Sequence, residues 1–173
     1  MNFNQNYFEI LGLPLVFDVD LGLLSDRFLE LQKEVHPDRF ASRTEQEKRL
    51  AMQWATLLNS ANDTLKSPLK RAIYLLQLKG IELEDNPRLP PEFLMEQIEL
   101  REQLEDIEGS EANLDDLAVF KKEVKAVIRS IEQNFSKTIE DDLVQAETLV
   151  YEMQFLNKLL ASANQLEEKL LDY

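Results

Sequence analysis

The single histidine of the chain, His36, stands directly before Pro37 and Asp38 in the segment KEVHPDRF. An imidazole oriented by a carboxylate is a common form of general base, so this pair first suggests acid–base catalysis. Such a base needs a nucleophile, an oxyanion hole or a metal beside it, and the sequence gives no independent sign of any. Pro37 also fixes the backbone between the two polar side chains. The sequence therefore disfavours catalysis.

Two other interpretations of His36 differ in whether its side chain is buried. In the first, the imidazole fills a gap between two helices. In the second, His36, Pro37 and Asp38 form a rigid and exposed recognition turn. Because proline restricts the backbone in advance, less conformational entropy is lost when a partner binds. Asp38 would then offer its charge to an arginine of the partner, and His36 a hydrogen-bond donor or acceptor.

The composition excludes several kinds of site. The chain has no cysteine and one histidine, so the usual nitrogen and sulfur ligands of zinc and iron–sulfur clusters are missing, and we expect no cofactor. Its four glycines form no phosphate-binding loop. No apolar run reaches the roughly 18 residues of a membrane span, and the N-terminus does not resemble a signal peptide. We expect a cytoplasmic protein that does not interact with membranes.

The net charge of −14 is distributed unevenly along the chain. Residues 1–76 carry nine basic and ten acidic side chains, whereas residues 77–173 carry ten basic and twenty-three acidic ones. A field of this sign repels nucleic acid and favours a basic partner. An acidic surface also increases solubility without any partner, so the charge alone leaves both explanations open.

Helical periodicity dominates the sequence, and we interpret the briefly alternating segment LVFDVD at 15–20 as a loop. In the third helix we predict an inward stripe of Leu50, Trp54, Leu57 or Leu58, Ala61 and Leu65. Four helices are predicted in the first half of the chain, the last three of them with cap signals. These helices are predicted at about 5–11, from Asp20 to near His36, from the capping box of Thr44 and Glu47 to Ser67, and from Pro68 to Gly80.

The polar, proline-bearing segment 80–91 is the best linker candidate in the chain. Three longer helices are predicted after it, at about 91–108, 114–137 and 142–171. The sequence therefore predicts an all-α protein with two domains, a small helical domain over 1–79 and an antiparallel three-helix bundle over 92–173.

The order of elements around His36 resembles a J domain, the module that binds DnaK-type heat-shock ATPases and stimulates their ATP hydrolysis. A short helix, a second helix ending in HPDR, a loop and an antiparallel third helix carry this resemblance. NYFEILGL at 6–13 is similar to the opening of such domains, and LLNSANDTLKSP at 57–68 to the end of their third helix. The resemblance implies contacts with the ATPase through His36, Pro37, Asp38, Arg27, Lys33 and Arg39.

The predicted second helix departs from the J-domain pattern in its charge. Such domains usually present several basic side chains there, whereas Arg27 and Lys33 share this helix with Asp26, Glu30 and Glu34. The dilution of positive charge suggests a specialised partner and a weak, transient encounter.

Three further stretches resemble the HscB family, the J-type co-chaperones of bacterial iron–sulfur cluster assembly. They are PLKRAIYLLQLKG at 68–80, FLMEQIELREQLEDIE at 93–108 and QLEEKLLDY at 165–173. The resemblance implies two protein partners, an HscA-type ATPase and an IscU-type iron–sulfur scaffold protein, and no enzymatic activity of its own. The alternative function is that of a structural module, whose helical bundle recruits an unrelated client protein.

The helix predicted at 91–108 has apolar residues on two sides. At 100° per residue, Phe93, Leu100, Leu104 and Ile107 form a core stripe, whereas Leu94, Met95 and Ile98 lie on the opposite side. An apolar patch rimmed by carboxylates suits a protein-binding surface, although packing against the first domain would also explain it.

The last predicted helix repeats this pattern, because Phe155 points away from its inward stripe. The resemblance to the HscB family implies a scaffold-binding surface on these two helices. Its residues would be Leu94, Met95, Ile98, Glu99, Glu102, Asp106 and Phe155. Ile98 and Asp106 are conservative variants of the family pattern, with leucine and glutamate as the common residues.

Overall fold

The computed structural model describes residues 4–109 and 114–171 and contains only helices and loops in these ranges. The predicted all-α fold is therefore confirmed, and LVFDVD is a loop as expected. A single 3-10 turn over Pro37–Phe40 was not predicted. The helices are α1 Tyr7–Ile10, α2 Leu21–Glu34, α3 Glu45–Lys66, α4 Pro68–Leu78, α5 Pro91–Gly109, α6 Leu114–Thr138 and α7 Leu143–Leu171.

The chain divides into two compact units, Met1–Leu75 and Leu76–Tyr173. The division falls inside α4, a few residues before the linker predicted at 80–91. In the N-terminal unit α3 contacts α1, α2 and the 3-10 turn. The core of this unit includes Phe8, Leu24, Trp54, Leu58 and Leu65, all buried.

The predicted caps of α2 and α3 are present. The Asp20 carboxylate accepts a hydrogen bond from the Leu23 N–H at 3.0 Å. At the start of α3, the Thr44 hydroxyl accepts from the Glu47 N–H at 3.3 Å, and the Glu47 carboxylate accepts from the Thr44 N–H at 2.9 Å. The Thr44 N–H and the Thr44 hydroxyl both donate to the Glu47 carboxylate, and these two bonds hold the pKa of Glu47 below its usual range. The capping box fixes where α3 begins and so limits the length of the preceding loop.

The inward stripe of α3 differs from the prediction at one position. Leu50 is 46% exposed, whereas the neighbouring Ala51 is buried together with Trp54, Leu58 and Ala61. Positions 51, 54, 58 and 61 repeat at three and four residues, which keeps them on one side of the helix. Leu50 lies 100° from Ala51 around the helix and faces solvent.

Aromatic contacts attach the beginning of α4 to the rest of the N-terminal unit. The Tyr74 ring stacks on Tyr7 with centroids 4.5 Å apart, and its hydroxyl accepts a hydrogen bond from the Tyr7 N–H at 3.0 Å. The buried Arg71 guanidinium lies 4.9 Å from the centroid of Phe17 and donates to the carbonyl of Leu65 at the end of α3. The beginning of α4 is therefore fixed by polar as well as apolar contacts.

The C-terminal unit is a bundle of three helices in which α7 contacts both α5 and α6. The α6 helix contributes an amphipathic stripe that includes Leu117, Phe120, Val124 and Phe135, all buried. The α7 helix buries residues on more than one side. It is therefore the central element of this unit.

The segment between α4 and α5 is joined to the bundle by Tyr151. Its hydroxyl accepts a hydrogen bond from the Glu84 N–H at 2.7 Å and donates to the Glu147 carboxylate at 3.1 Å. Burial raises the pKa of this phenol above its ordinary value. Although the segment is polar, it is thus held at its middle by a residue of α7.

A glycine ends α4 through a specific backbone arrangement. Gly80 has φ +82°, its N–H donates to the Gln77 carbonyl at 2.9 Å, and the Ile81 N–H donates to the Leu76 carbonyl at 3.0 Å. This pair of bonds is the Schellman motif, which requires a left-handed residue. Gly80 fulfils the predicted role of helix terminator.

We expect Gly80→Ala to lower the free energy of unfolding by about 1 kcal/mol, because an L side chain is strained in the left-handed region. No atom lies within 4 Å of the position of an added Cβ, so the substitution introduces no steric clash in the folded state. Gly109→Ala is the matched control, because Gly109 lies within a helix and also has free space at its Cβ position. Urea unfolding followed by circular dichroism measures both variants, and equal effects would contradict the assignment.

Candidate functional site

The imidazole of His36 caps the 3-10 turn that follows it. Its backbone is extended, with φ −60° and ψ 134°, and its Nδ1 accepts a hydrogen bond from the Asp38 N–H at 3.3 Å. The His36 side chain is 55% exposed and that of Asp38 is 90% exposed. The gap-filling interpretation of His36 is therefore wrong, and the turn presents both polar groups to solvent.

The same geometry does not support a catalytic dyad. A carboxylate that orients a histidine base accepts a hydrogen bond from one ring nitrogen. Here Nδ1 acts as an acceptor for the backbone of Asp38, and the Asp38 carboxylate oxygen lies 3.5 Å from the same nitrogen. When the ring is neutral, its proton is therefore on Nε2. The turn therefore presents a hydrogen-bond donor, Nε2 of His36, and an acceptor, the Asp38 carboxylate, on a fixed backbone.

The basic side chains predicted around the turn play different local roles. Arg27 forms an ion pair with Glu30 at 3.3 Å, and both side chains are at least half exposed. Arg39 donates to the carbonyl oxygen of Lys33 at 3.4 Å, near the end of α2. Lys33 itself is exposed. Arg39 thus ties the turn to α2, while the ion pair of Arg27 reduces the positive charge presented by that helix.

Sequence reasoning missed one basic residue near the turn. Arg43 lies 3.9 Å from Glu47 and lines a shallow depression of about 400 Å³ together with Glu34, Arg39 and Phe40. Arg43 follows Arg39 by four residues, and this spacing could have predicted that the two arginines lie near each other. The described surface beside the turn therefore has two arginines.

The outer side of α5 presents the predicted apolar residues to solvent. Leu94 is 45% exposed, Met95 63% and Ile98 56%. Phe93 and Leu104 on the other side of the helix are buried, as predicted for the core stripe. Glu99, Glu102 and Asp106 are exposed on the same helix. One helix thus places six of the seven predicted scaffold-binding residues on the surface.

The expectation that Phe155 faces outward is wrong. Its side chain is only 8% exposed and packs edge-to-face on Phe93, with ring centroids 6.0 Å apart. The guanidinium of Arg101 lies 5.4 Å from the centroid of the Phe155 ring. The prediction assumed that α7 has one buried side, whereas α5 covers a second one.

Two acidic side chains on α5 and α7 influence each other. Burial, together with the charge of Glu96, raises the pKa of Glu152 above its usual range. Glu152 is half-buried on α7, and Glu96 belongs to α5. A raised pKa means that the folded chain holds this negative charge at a cost, which a cation nearby would reduce.

Among residues 4–109 and 114–171, no group of three or more His, Cys, Asp or Glu side chains is arranged to hold a metal ion. Nor does any helix in these ranges combine the length and apolarity needed to cross a bilayer. The predicted contact residues are exposed on two surfaces, the turn and the outer side of α5, and these are the candidate functional sites.

Comparison with known proteins assigns both halves of the chain. Residues 89–164 match the family described as the HSCB C-terminal oligomerisation domain. A co-chaperone protein HscB homolog from Shewanella pealeana is 39% identical over 97% of this chain and the whole of that protein.

Three solved structures share the fold. The chaperone HscB from Vibrio cholerae is 39% identical and superimposes with a TM-score of 0.87, covering 96% of this chain and 99% of its own. The human co-chaperone protein HscB is 30% identical, with a TM-score of 0.88, and covers all of this chain and 86% of its own. The Jac1 co-chaperone from Saccharomyces cerevisiae, at 21% identity and a TM-score of 0.73 over 95% of each chain, shares the fold alone.

The helical hairpin carrying an exposed HPD turn, followed by a helical C-terminal domain, defines a co-chaperone of the J-domain class. Within that class, the chain belongs to the HscB family.

We expect Glu152→Gln to raise the thermal stability at pH 7. In the unfolded chain this carboxyl titrates near its ordinary pKa, whereas the folded pKa is higher, so the charged form opposes folding above both values. The gain should disappear as the pH falls below about 4, where the carboxyl is protonated in both states. Thermal unfolding at a series of pH values measures it.

Glu168→Gln is the matched control for this experiment, because it removes an exposed carboxylate from the same helix. It should change the melting temperature less than Glu152→Gln at pH 7. Equal shifts in the two variants would show that only the net charge of the chain matters.

Proposed function

We propose that this chain stimulates the ATPase of an HscA-type chaperone and delivers an IscU-type iron–sulfur scaffold protein to it. The chain acts in the cytoplasm and has no enzymatic activity of its own. The observation that carries the proposal is the exposed, preorganised turn of His36, Pro37 and Asp38 at the open end of the α2–α3 hairpin.

The turn is suited to a brief protein contact. Its backbone is fixed by Pro37, by the bond from the Asp38 N–H to His36 and by the bond from Arg39 to the end of α2. Binding therefore orders few additional groups. The Asp38 carboxylate is almost fully exposed and available to a cation of the ATPase, while His36 offers Nε2. Arg27, Lys33 and Arg39 add only a weak positive field, so we expect little electrostatic acceleration of association and a weak complex.

The outer side of α5 is suited to a longer-lived contact. Leu94, Met95 and Ile98 supply an apolar centre, and Glu99, Glu102 and Asp106 supply a negative rim. This combination matches a scaffold protein with an apolar patch surrounded by basic side chains. A bound cation would also relieve the unfavourable charge of Glu152.

Both surfaces belong to one chain, and this linkage gives the proposed mechanism. A scaffold protein held on α5 is kept at a high local concentration near the ATPase that contacts the turn. The ATPase then receives its substrate and the stimulus for hydrolysis together. The mechanism does not require the chain itself to hold an iron–sulfur cluster, and its sequence has no cysteine to ligate one.

We expect His36→Gln to reduce the stimulation of an HscA-type ATPase to the basal rate while leaving scaffold binding unchanged. Glutamine cannot place a ring nitrogen on the Asp38 N–H or present the imidazole Nε2 to the ATPase. The steady-state ATPase rate, measured with and without scaffold protein, tests the first effect, and isothermal titration calorimetry tests the second.

The wild-type chain and the variant must give the same far-ultraviolet circular dichroism. Unchanged stimulation by the variant would remove the turn from the mechanism and favour a module that only recruits a client. Loss of both stimulation and scaffold binding in a folded variant would contradict the separation of the two surfaces.

We expect the combined substitution Leu94→Ala and Met95→Ala to weaken scaffold binding at least about tenfold, because it removes the apolar centre of the surface. Stimulation of the ATPase in the absence of scaffold should be unchanged. Val119→Ala with Val144→Ala is the control, since these exposed valines lie on α6 and α7. A similar loss of binding in the control would show that the surface is not specific.

A further inference from the structure

The packing of Phe155 raises the question of which residue on this side of α5 meets the scaffold protein. Phe155 is 8% exposed, far less than Leu94, Met95 or Ile98. The guanidinium of Arg101 lies over its ring, 5.4 Å from the centroid, and Phe93 packs against it edge-to-face. A partner approaching Phe155 therefore meets Arg101 as well.

Arg101 continues the apolar surface of α5. It follows Leu94 by seven residues and Ile98 by three, so the three side chains lie on one side of the helix. Arg101 is exposed, and it lines a groove of about 260 Å³ between α5 and α7 whose floor includes Leu104. The stripe that begins with two apolar residues thus ends with a cation.

The donors of Arg101 are available to a partner. Within the described residues, its guanidinium has no hydrogen-bond or ion-pair partner, although Glu105 and Glu108 lie on the same groove. A guanidinium that lies over an aromatic ring uses its face for that contact and keeps its N–H donors at the edge. Phe155 therefore acts as a platform that orients Arg101.

We propose that Arg101 is a specificity-determining contact of the scaffold-binding surface and donates to a carboxylate or carbonyl oxygen of the scaffold protein, with Phe155 acting through it. This inference rests on the proposed function. The α5 helix carries seven acidic side chains and Arg101 as its sole basic one. A basic partner is attracted by the acidic side chains, and only one with an acceptor opposite Arg101 also satisfies this cation.

A double-mutant cycle on scaffold binding tests the inference. Arg101→Ala should weaken binding about tenfold, as expected for the loss of a charge-assisted hydrogen bond. Phe155→Leu keeps an apolar side chain but removes the ring, and it should weaken binding several-fold. If Phe155 acts through Arg101, the double variant should bind no more weakly than Arg101→Ala alone. Isothermal titration calorimetry with an IscU-type scaffold protein measures all four proteins.

Two results would overturn the inference. If the fold-losses of affinity in the two single variants multiply in the double variant, Phe155 contacts the scaffold protein independently of Arg101. Unchanged or tighter binding by Arg101→Ala would mean that Arg101 only covers the ring. Arg101→Lys keeps the charge but replaces the planar guanidinium, and its affinity should fall between those of the wild type and Arg101→Ala.

The same experiment separates this inference from the proposed function. Leu94→Ala is measured in parallel, and loss of binding there with no effect of Arg101→Ala overturns the role of Arg101 alone. Failure of the wild-type chain to bind the scaffold protein overturns both. Melting temperatures of all variants show whether Phe155→Leu acts by destabilising the bundle, and a Phe155→Leu effect that persists beside Arg101→Ala contradicts the platform role.

Discussion

The C-terminal unit depends on the burial of α7 on two sides. One side packs on the amphipathic stripe of α6, and the other is covered by α5 through contacts such as Phe93 on Phe155. A helix in this position has little surface left for a partner. The outer helices must therefore carry the binding residues, and α5 does so with Leu94, Met95 and Ile98. Because a helix surface is wider than one stripe, α5 can pack and bind at once.

The N-terminal unit solves a different problem, which is to hold a short polar turn rigid without burying it. Three local features achieve this, namely the ring of Pro37, the imidazole of His36 accepting from the backbone, and Arg39 bound to the carbonyl of Lys33. Near the loop, each helix of the hairpin has a buried anchor, Val35 at the C-cap of α2 and Ala51 in the second turn of α3. Rigidity thus comes from a proline ring and from side-chain bonds to the backbone, while the Asp38 carboxylate remains exposed.

The features that could be predicted from the sequence are those with a local cause. The caps formed by Asp20 and Thr44 and the glycine end of α4 depend on residues a few positions apart, and all were found where expected. Leu50 was wrongly predicted to be buried. Which side of α3 faces the core depends on how the helix packs against its neighbours, and the sequence of α3 alone does not determine this. Phe155 was placed outside because periodicity along one helix does not reveal how many helices surround it. Arg101 was missed for the same reason, since its ring partner lies on another helix.

The single tryptophan of the chain, Trp54, is buried in α3 within the N-terminal unit. Its fluorescence therefore follows the packing of the unit that carries the HPD hairpin. Circular dichroism reports on the helices of both units. Denaturation followed by the two spectroscopic signals thus resolves whether the halves of this co-chaperone melt together or one after the other. The molecule carries a natural optical label for the half that contacts the ATPase in the proposed mechanism.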